Sequence, residues 1–341
     1  MRQSSHSTSI NVIGAGVAGT WQALMFAKAG CKVAVYERSN ASMTQSTGHW
    51  AGGMLAPYCE GETAEHLITR LGLRSLDLWR DTLPDTKFNG SLVVAHPRDR
   101  ADIVRFDRLA GPHRHVDAEE IAELEPVLTG RFPDGLYFER EGHLDPRQAL
   151  PALHEALRAS GVPIEFESFA TPGDLHGTVI DCRGIAARDS NRELRGVKGE
   201  IIIVETKEIA LSRPIRLVHP RWPLYIVPRA NHRFLIGASA IEADDDRVSV
   251  RTALELLTGA YAVHPAFAEA RIVDLGAALR PAFPDNMPRI SVDGRRISVN
   301  GLYRHGFLLA PALARRAAQV LLEGRHFPEV MDEDPGERRL A

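Results

Sequence analysis

Between Gly14 and Glu37 the chain carries residues whose types and spacing suit a grip on a dinucleotide. Gly14-Ala15-Gly16-Val17-Ala18-Gly19 follows the apolar run Ser9 to Ile13 and leads into Val17 to Ala29, whose apolar residues suit a helix packed on a sheet. In such a turn Gly14 permits the tight bend, Gly16 lets a pyrophosphate approach the backbone, and Gly19 lets helix and strand touch. The helix N-terminus then offers unpaired N–H donors to the anion. Glu37 stands at the end of the next strand-like run, Lys32 to Tyr36, eighteen residues after Gly19. A carboxylate there can accept hydrogen bonds from the adenosine ribose hydroxyls, and it would repel the 2′-phosphate of NADP. The bland alternative is a glycine turn that binds nothing.

Three further constellations could do chemistry. In Ser46 to Glu60 (STGHWAGGMLAPYCE), adjacent Gly52 and Gly53 followed by Met54 suit a backbone lying flat against a planar ring, or simply a tight loop entering a helix. Arg280 in AALRPAFPD offers a fixed fork of donors matched to a carboxylate, and Tyr225 in PLYIVPR can add a hydroxyl. Read singly, the arginine is a surface charge and the tyrosine a core residue. Gly301-Leu302-Tyr303-Arg304-His305-Gly306-Phe307 runs into a helix whose N-terminal partial charge could meet developing negative charge. The plain reading is a strand-to-helix turn with His305 on the surface. Asp181-Cys182-Arg183-Gly184 is a turn or a second backbone approach to the dinucleotide.

The elements that must position these residues alternate in kind. After the opening strand, helix and strand, an amphipathic helix is expected over 63–83, ended by Pro84, then strands at 91–95 and 135–138 with a capped helix at 117–124 between them. A helix at 145–160 and a strand at 177–181 follow. From Val197 to Gly237, short β runs separated by Pro, Arg and Asn suggest a mainly antiparallel sheet, interrupted by a helix at about 251–263 before a strand at 271–279. The last block is a strand at 296–300 and a helix at 306–324, with Pro311 placed in its first turn. The stretch beyond Phe327 is expected to fray. Two interleaved domains are implied, crossed by the chain more than once.

With 41 Lys and Arg against 44 Asp and Glu among 341 residues, the formal net charge is -3, so no global basic field draws nucleic acid or an anionic membrane. Cys31, Cys59 and Cys182 form no CxxC pair, which argues against a zinc site or disulfide framework, and no metal is expected. No stretch reaches the roughly 18 consecutive apolar residues of a membrane span. A cytoplasmic protein with a small-molecule partner is expected.

Taken in order, GAGVAG with Glu37, WAGGMLAPYCE, the RGVKGEI segment at Arg195 to Ile201 (taken as a turn), PLYIVPR, ALRPAFPD and LYRHGFLLAP resemble the D-amino-acid oxidase and sarcosine oxidase family of flavoproteins, and within it the glycine oxidases of thiamine biosynthesis. The resemblance runs over most of the chain. It implies an α/β fold in which a Rossmann-like FAD-binding domain of the GR2 type (1–84, 142–190 and 286–330) interleaves with a mainly antiparallel substrate domain (85–141 and 191–285), leaving a charged tail at 331–341. It also implies a noncovalent FAD held by the Gly14 to Gly19 turn including Val17 and Ala18, by Glu37, Arg38, Thr47, Gly48, Gly52, Gly53, Met54 and Ala170, and by Leu302, Tyr303, Arg304, His305, Gly306, Phe307 and Leu308. Arg280 and Tyr225 would clamp the substrate carboxylate, with Met54 and Ala240 lining its pocket.

Such enzymes take glycine or another small amino acid to its imine without a dedicated general base. Molecular oxygen then reoxidises the flavin and yields hydrogen peroxide. Ala240 stands where glycine oxidases tend to carry a bulky methionine, which would admit a larger side chain, and no cysteine lies near Arg280 for covalent flavin attachment. The competing expectations are a D-amino-acid or sarcosine-type oxidase, a dehydrogenase using another acceptor, and a flavin-binding protein without amine chemistry. Homo-oligomerisation is left open.

Overall fold

The computed structural model describes residues 8–62 and 64–331. Its opening is the strand-helix-strand unit expected: Ser9–Ile13, the helix Val17–Lys28, and Lys32–Glu37 paired parallel to the first strand. Ile10, Val12 and Ile13 of the first strand are buried together with Asn11, as a strand in the middle of a parallel sheet requires. The chain leaves the helix through Gly30, whose φ of +82° is the left-handed conformation that a Cβ disfavours. Thr178–Asp181 pairs on the other side of Ser9–Ile13, and the full sheet has six strands. Ile164–Phe166 stands at one edge and the hairpin Arg289–Asp293 and Arg296–Asn300 at the other.

A second sheet of nine strands is drawn from residues 91–138 and 195–282. It is antiparallel apart from Ile215–Leu217, which lies parallel to Ser91–Val94. Arg195–Glu205 is central to its function-bearing end, because it pairs with Arg233–Gly237 on one side and Arg271–Ala282 on the other. The expected turn at Arg195 to Ile201 is therefore wrong: the segment is extended and buried. Its glycines mark places where neighbouring side chains cross bare backbone. The helix Arg100–Leu109 and the strand Arg114–Asp117 were not anticipated, whereas Ala118–Leu124 has its capping box between Asp117 and Glu120. Among the described residues no helix is long and apolar enough to cross a membrane.

Two other expectations are corrected at the C-terminal end. Pro311 does not sit in the first turn of its helix; the helix is Gly306–Glu323 and the proline lies inside it. A proline there withholds the N–H that would reach the carbonyl of Phe307 four residues back. Trp79, from the helix His66–Thr82, fills the vacancy: its indole Nε1 donates to Phe307 O at 2.9 Å, and its ring stacks on Phe307 with centroids 6.1 Å apart. The segment beyond Phe327 does not fray at once, since Val330 is buried and its carbonyl accepts from Ile290 N at 2.7 Å. Residues 332–341, the rest of the tail, lie outside the described residues.

Trp79→Phe should destabilise the protein by about 1–3 kcal/mol by leaving a buried carbonyl unpaired, measured by urea unfolding. In a Pro311→Ala background the helix regains an N–H for that carbonyl, so the same substitution should cost visibly less. Equal costs in the two backgrounds would refute the compensation.

Candidate active site

Both sheets open onto one cavity of about 1280 Å³. The glycine turn and Glu37 lie at one end, and the strands Leu224–Arg229 and Arg271–Ala282 wall the other. Every residue expected to hold the dinucleotide lines this space except Gly19. Gly19 serves packing alone, because a Cβ there would lie 1.8 Å from Gly14 O. At Gly14, with φ +100°, a Cβ would meet the Cys182 carbonyl at 2.6 Å. The Glu37 carboxylate accepts from Ala15 N at 2.7 Å and from Ser39 N at 2.8 Å, which fixes it at the strand end. No side chain caps the helix Val17–Lys28, whose N-terminal N–H groups thus face the cavity beside Gly16.

At the other end, side chains lie against glycine backbone. The Tyr225 ring is wedged between Gly52 and Gly237, where an added Cβ would come to 2.8 Å and 3.0 Å of its Cε2. The Arg280 guanidinium crosses Gly199, where a Cβ would lie 2.1 Å from Nη2, and donates from Nη1 to Ser239 O at 2.8 Å. The strand expected to stop at Leu279 continues to Ala282, so Arg280 sits within the ladder opposite Val197. Trp50 lies over Gly276 of the same strand in the same way. Ala240 is exposed at the cavity wall and Met54 lines it half-buried.

Three polar ties hold the two halves of the site in register. Arg229 follows Tyr225 by four residues on one strand face, and it donates to Gly52 O at 2.6 Å and Leu144 O at 2.9 Å. Thr47 Oγ1 reaches Leu279 O at 3.2 Å, next to Arg280. Arg147, in the first turn of Pro146–Ala159, pairs with Asp274 at 2.9 Å and lies over the Trp50 ring. None of these ties was anticipated from the sequence.

Glu60 was likewise missed, and it anchors the charge of the site. Its carboxylate pairs with Arg304 Nη2 at 2.6 Å and stands 3.4 Å from His305 Nδ1, with Arg216 beyond. Burial alone would raise the Glu60 carboxyl, but Arg304, His305 and Arg216 outweigh it and bring its pKa down to about 2. His305 is buried rather than on the surface, a correction, and that burial lowers its pKa to about 4 despite the neighbouring Glu60. At neutral pH the cluster therefore holds an ionised carboxylate and an uncharged imidazole. Burial also lowers the Arg280 pKa and raises that of Tyr225, leaving the first a cation and the second a neutral hydroxyl.

Glu60 is positioned in turn by Glu141. That fully buried carboxyl accepts from Tyr58 N at 2.8 Å and Cys59 N at 2.7 Å at the start of the short helix Pro57–Glu60, and from the Ser91 hydroxyl. Burial pushes Glu141 up to about 7, against the pull of the Ser91, Cys59 and Tyr58 donors.

The description FAD dependent oxidoreductase belongs to the family whose sequence model matches residues 9–320. The chain is a member of this family. A Rhizobium etli protein provisionally named thiamine biosynthesis oxidoreductase ThiO is 47% identical over 322 residues, covering 94% of this chain and 98% of that one. Glycine oxidase of Geobacillus kaustophilus is 26% identical over 93% of each chain. The crystal structure of glycine oxidase from Bacillus cereus superposes with a TM-score of 0.78 at 20% identity, over 94% of this chain and 96% of that one, which shows the fold. FAD is accordingly the cofactor, and the cavity fits it: an uncapped helix end, a fixed carboxylate and bare glycine backbone succeed one another along its length.

Gly199→Ala should push the Arg280 guanidinium aside while leaving the fold and flavin content unchanged. The expected readout is a KM for carboxylate substrates raised by about tenfold or more, with the flavin spectrum unaltered. Glu141→Gln tests the positioning carboxyl through pH. Because the folded protein keeps a proton on Glu141 that the unfolded chain releases between 4.5 and 7, wild-type stability contains a term that falls as pH rises through that window. The glutamine variant should lack this fall, matching wild type at about pH 5 and exceeding it at about pH 8 in urea unfolding. A variant less stable than wild type by the same margin at both pH values would contradict the raised pKa.

Proposed function

We propose that the chain is an amino-acid oxidase of the glycine oxidase type, taking glycine or a comparably small amino acid to its imine, with oxygen as electron acceptor and hydrogen peroxide as product. The observation that carries this reading is the meeting of half-buried Arg280 and Tyr225 with the Gly52-Gly53 backbone in one cavity. The reading is supported by the names of the Rhizobium etli and Geobacillus kaustophilus relatives, the first of which points to thiamine biosynthesis.

In this proposal the glycine turn, Glu37, Arg38, Thr47, Gly48 and Ala170 hold the adenosine and pyrophosphate end, and Gly52 to Met54 with Leu302 to Leu308 hold the ring. The ranges 1–84, 142–190 and 286–330 form the FAD-binding domain and 85–141 with 191–285 the substrate domain, a reading supported by the six-stranded sheet drawing its strands from the first set and the nine-stranded sheet from the second. When bound, FAD supplies a two-electron acceptor. Arg280 receives the substrate carboxylate in a planar fork and Tyr225 adds its hydroxyl, which orients the α-carbon and excludes alternative poses. Glu60, committed to Arg304 and with a pKa near 2, is a poor proton acceptor, so orientation and exclusion of water do the work that a general base would do elsewhere. Ala240 at the wall leaves room for a side chain larger than a hydrogen.

Anaerobic mixing of the purified yellow protein with glycine, sarcosine and a panel of D-amino acids should bleach the flavin absorbance, and air should restore it with one hydrogen peroxide per turnover. Arg280→Lys should lower kcat/KM for the same substrates by about a hundredfold, since an ammonium cannot replace two parallel N–H bonds. Full activity in that variant, or no bleaching by any amino acid in the panel, would remove the proposal.

A further inference from the structure

Away from the cavity, the end of the helix Arg100–Leu109 and the start of the strand Arg114–Asp117 bring Asp107, His113 and His115 together. Their ligand-type atoms all lie within 4.8 Å of one another. His113 Nε2 is 2.7 Å and His115 Nε2 3.3 Å from the same atom, Asp107 Oδ1.

The orientation of His113 is built rather than incidental. Its side chain is nearly buried, its ring packs on Phe138 with centroids 5.0 Å apart, and its Nδ1 lies 2.8 Å from Gly111 O. A carbonyl only accepts, so Nδ1 carries the hydrogen and Nε2 of the neutral ring presents its lone pair to the Asp107 carboxylate. Two acceptors at that distance require a positive charge between them. A metal ion placed there serves all three groups at once. A backbone carbonyl gripping the far nitrogen is also how a metal-bound imidazole is commonly oriented.

We propose that Asp107, His113 and His115 bind a divalent late transition ion, zinc or nickel, with water in the remaining positions. Two imidazoles and one carboxylate suit these ions and not magnesium or calcium, which prefer all-oxygen shells. Tetrahedral zinc spaces its donors by about 3.3 Å, which the His115 contact already matches and the His113 contact reaches by opening about half an ångström. The ion staples helix to strand across the loop holding Gly111. That loop backs the segment leading to Glu60: Gly111 N donates to Tyr58 O at 3.0 Å, and a Cβ on Gly111 would stand 2.4 Å from the Tyr58 ring.

The test is calorimetric titration of the flavin-loaded protein, treated with a chelator and desalted, with zinc chloride and in parallel with magnesium chloride. One zinc per chain at micromolar affinity is expected, with no saturable magnesium. His115→Ala, at a position 71% exposed and so harmless to folding, and Asp107→Asn should each weaken zinc by on the order of tenfold or more. Zinc should also raise the thermal midpoint of the wild type and not of His115→Ala. The absence of saturable zinc binding, or an unchanged zinc affinity in either variant, would overturn the site.

Discussion

Close approach of side chains to backbone that carries no Cβ is the constraint on which the site depends. Tyr225 between Gly52 and Gly237, Arg280 over Gly199, and Trp50 over Gly276 are the same device used three times. In each case one sheet or loop can come nearer its neighbour than any alanine would allow, and a functional group is held by contact on its flat face. Gly199 and Gly276 lie inside strands, where glycine costs stability for want of side-chain packing. Their cost is offset by what they admit, because a guanidinium lying flat on a strand keeps its edges accessible for hydrogen bonds such as the one from Arg280 Nη1 to Ser239 O. The ring of Tyr225, gripped on both sides, has little rotamer freedom left to lose when a ligand arrives.

Charge in the cavity follows from the same crowding. Arg280, Arg304 and Arg216 would repel one another in so enclosed a space, and burial disfavours each of them singly. Glu60 resolves this by pairing directly with Arg304 while standing close enough to Arg280 and Tyr225 to influence both. Arg304 is thereby neutralised and Arg280 is left as a cation lining the cavity, its Nη1 on the Ser239 carbonyl. An anionic ligand at that end of the cavity then meets the Arg280 charge in a defined place. The uncharged His305 adds no second competitor.

The sequence was most readable where local pattern and chemistry coincide. The βαβ unit with Glu37, the amphipathic helix ending before Pro84 and the antiparallel run after Val197 all announce themselves within a few residues, and the structure has each of them. Reading failed where the deciding contact is distant. Glu60 and Arg304 are 244 residues apart, so nothing near either marks them as partners. The glycines of Arg195 to Ile201 look like a turn until the strand Arg271–Ala282 is known to lay Arg280 across Gly199 and Leu279 against Gly196. Pro311 reads as a helix start because the compensating donor, Trp79 Nε1, comes from a helix more than two hundred residues earlier. The helix Arg100–Leu109 escaped because its buried stripe consists of Ile103 and Phe106 alone, amid charged residues.

A catalyst that works by orientation needs its two halves fixed against each other to within a fraction of an ångström. Here Arg280 and Tyr225 rise from one sheet and the glycine turn with Glu37 from the other, so under the proposed function the accuracy of the site is the accuracy of the seam. Hydrophobic contact alone would hold the halves together without fixing their register, since it is non-directional. The seam is instead pinned by directional bonds that end on backbone: Arg229 on the carbonyls of Gly52 and Leu144, and Thr47 on that of Leu279. Two of these acceptors adjoin residues of the proposed site, Gly52 beside Gly53 and Leu279 beside Arg280. Arg229 shares a strand face with Tyr225, so the residue that grips the glycine strap and the residue that presses on it move as one unit. Under the proposed function a change in Arg229 would therefore act at the proposed ring contact of Gly52 and the proposed clamp at Tyr225 together, although it belongs to neither.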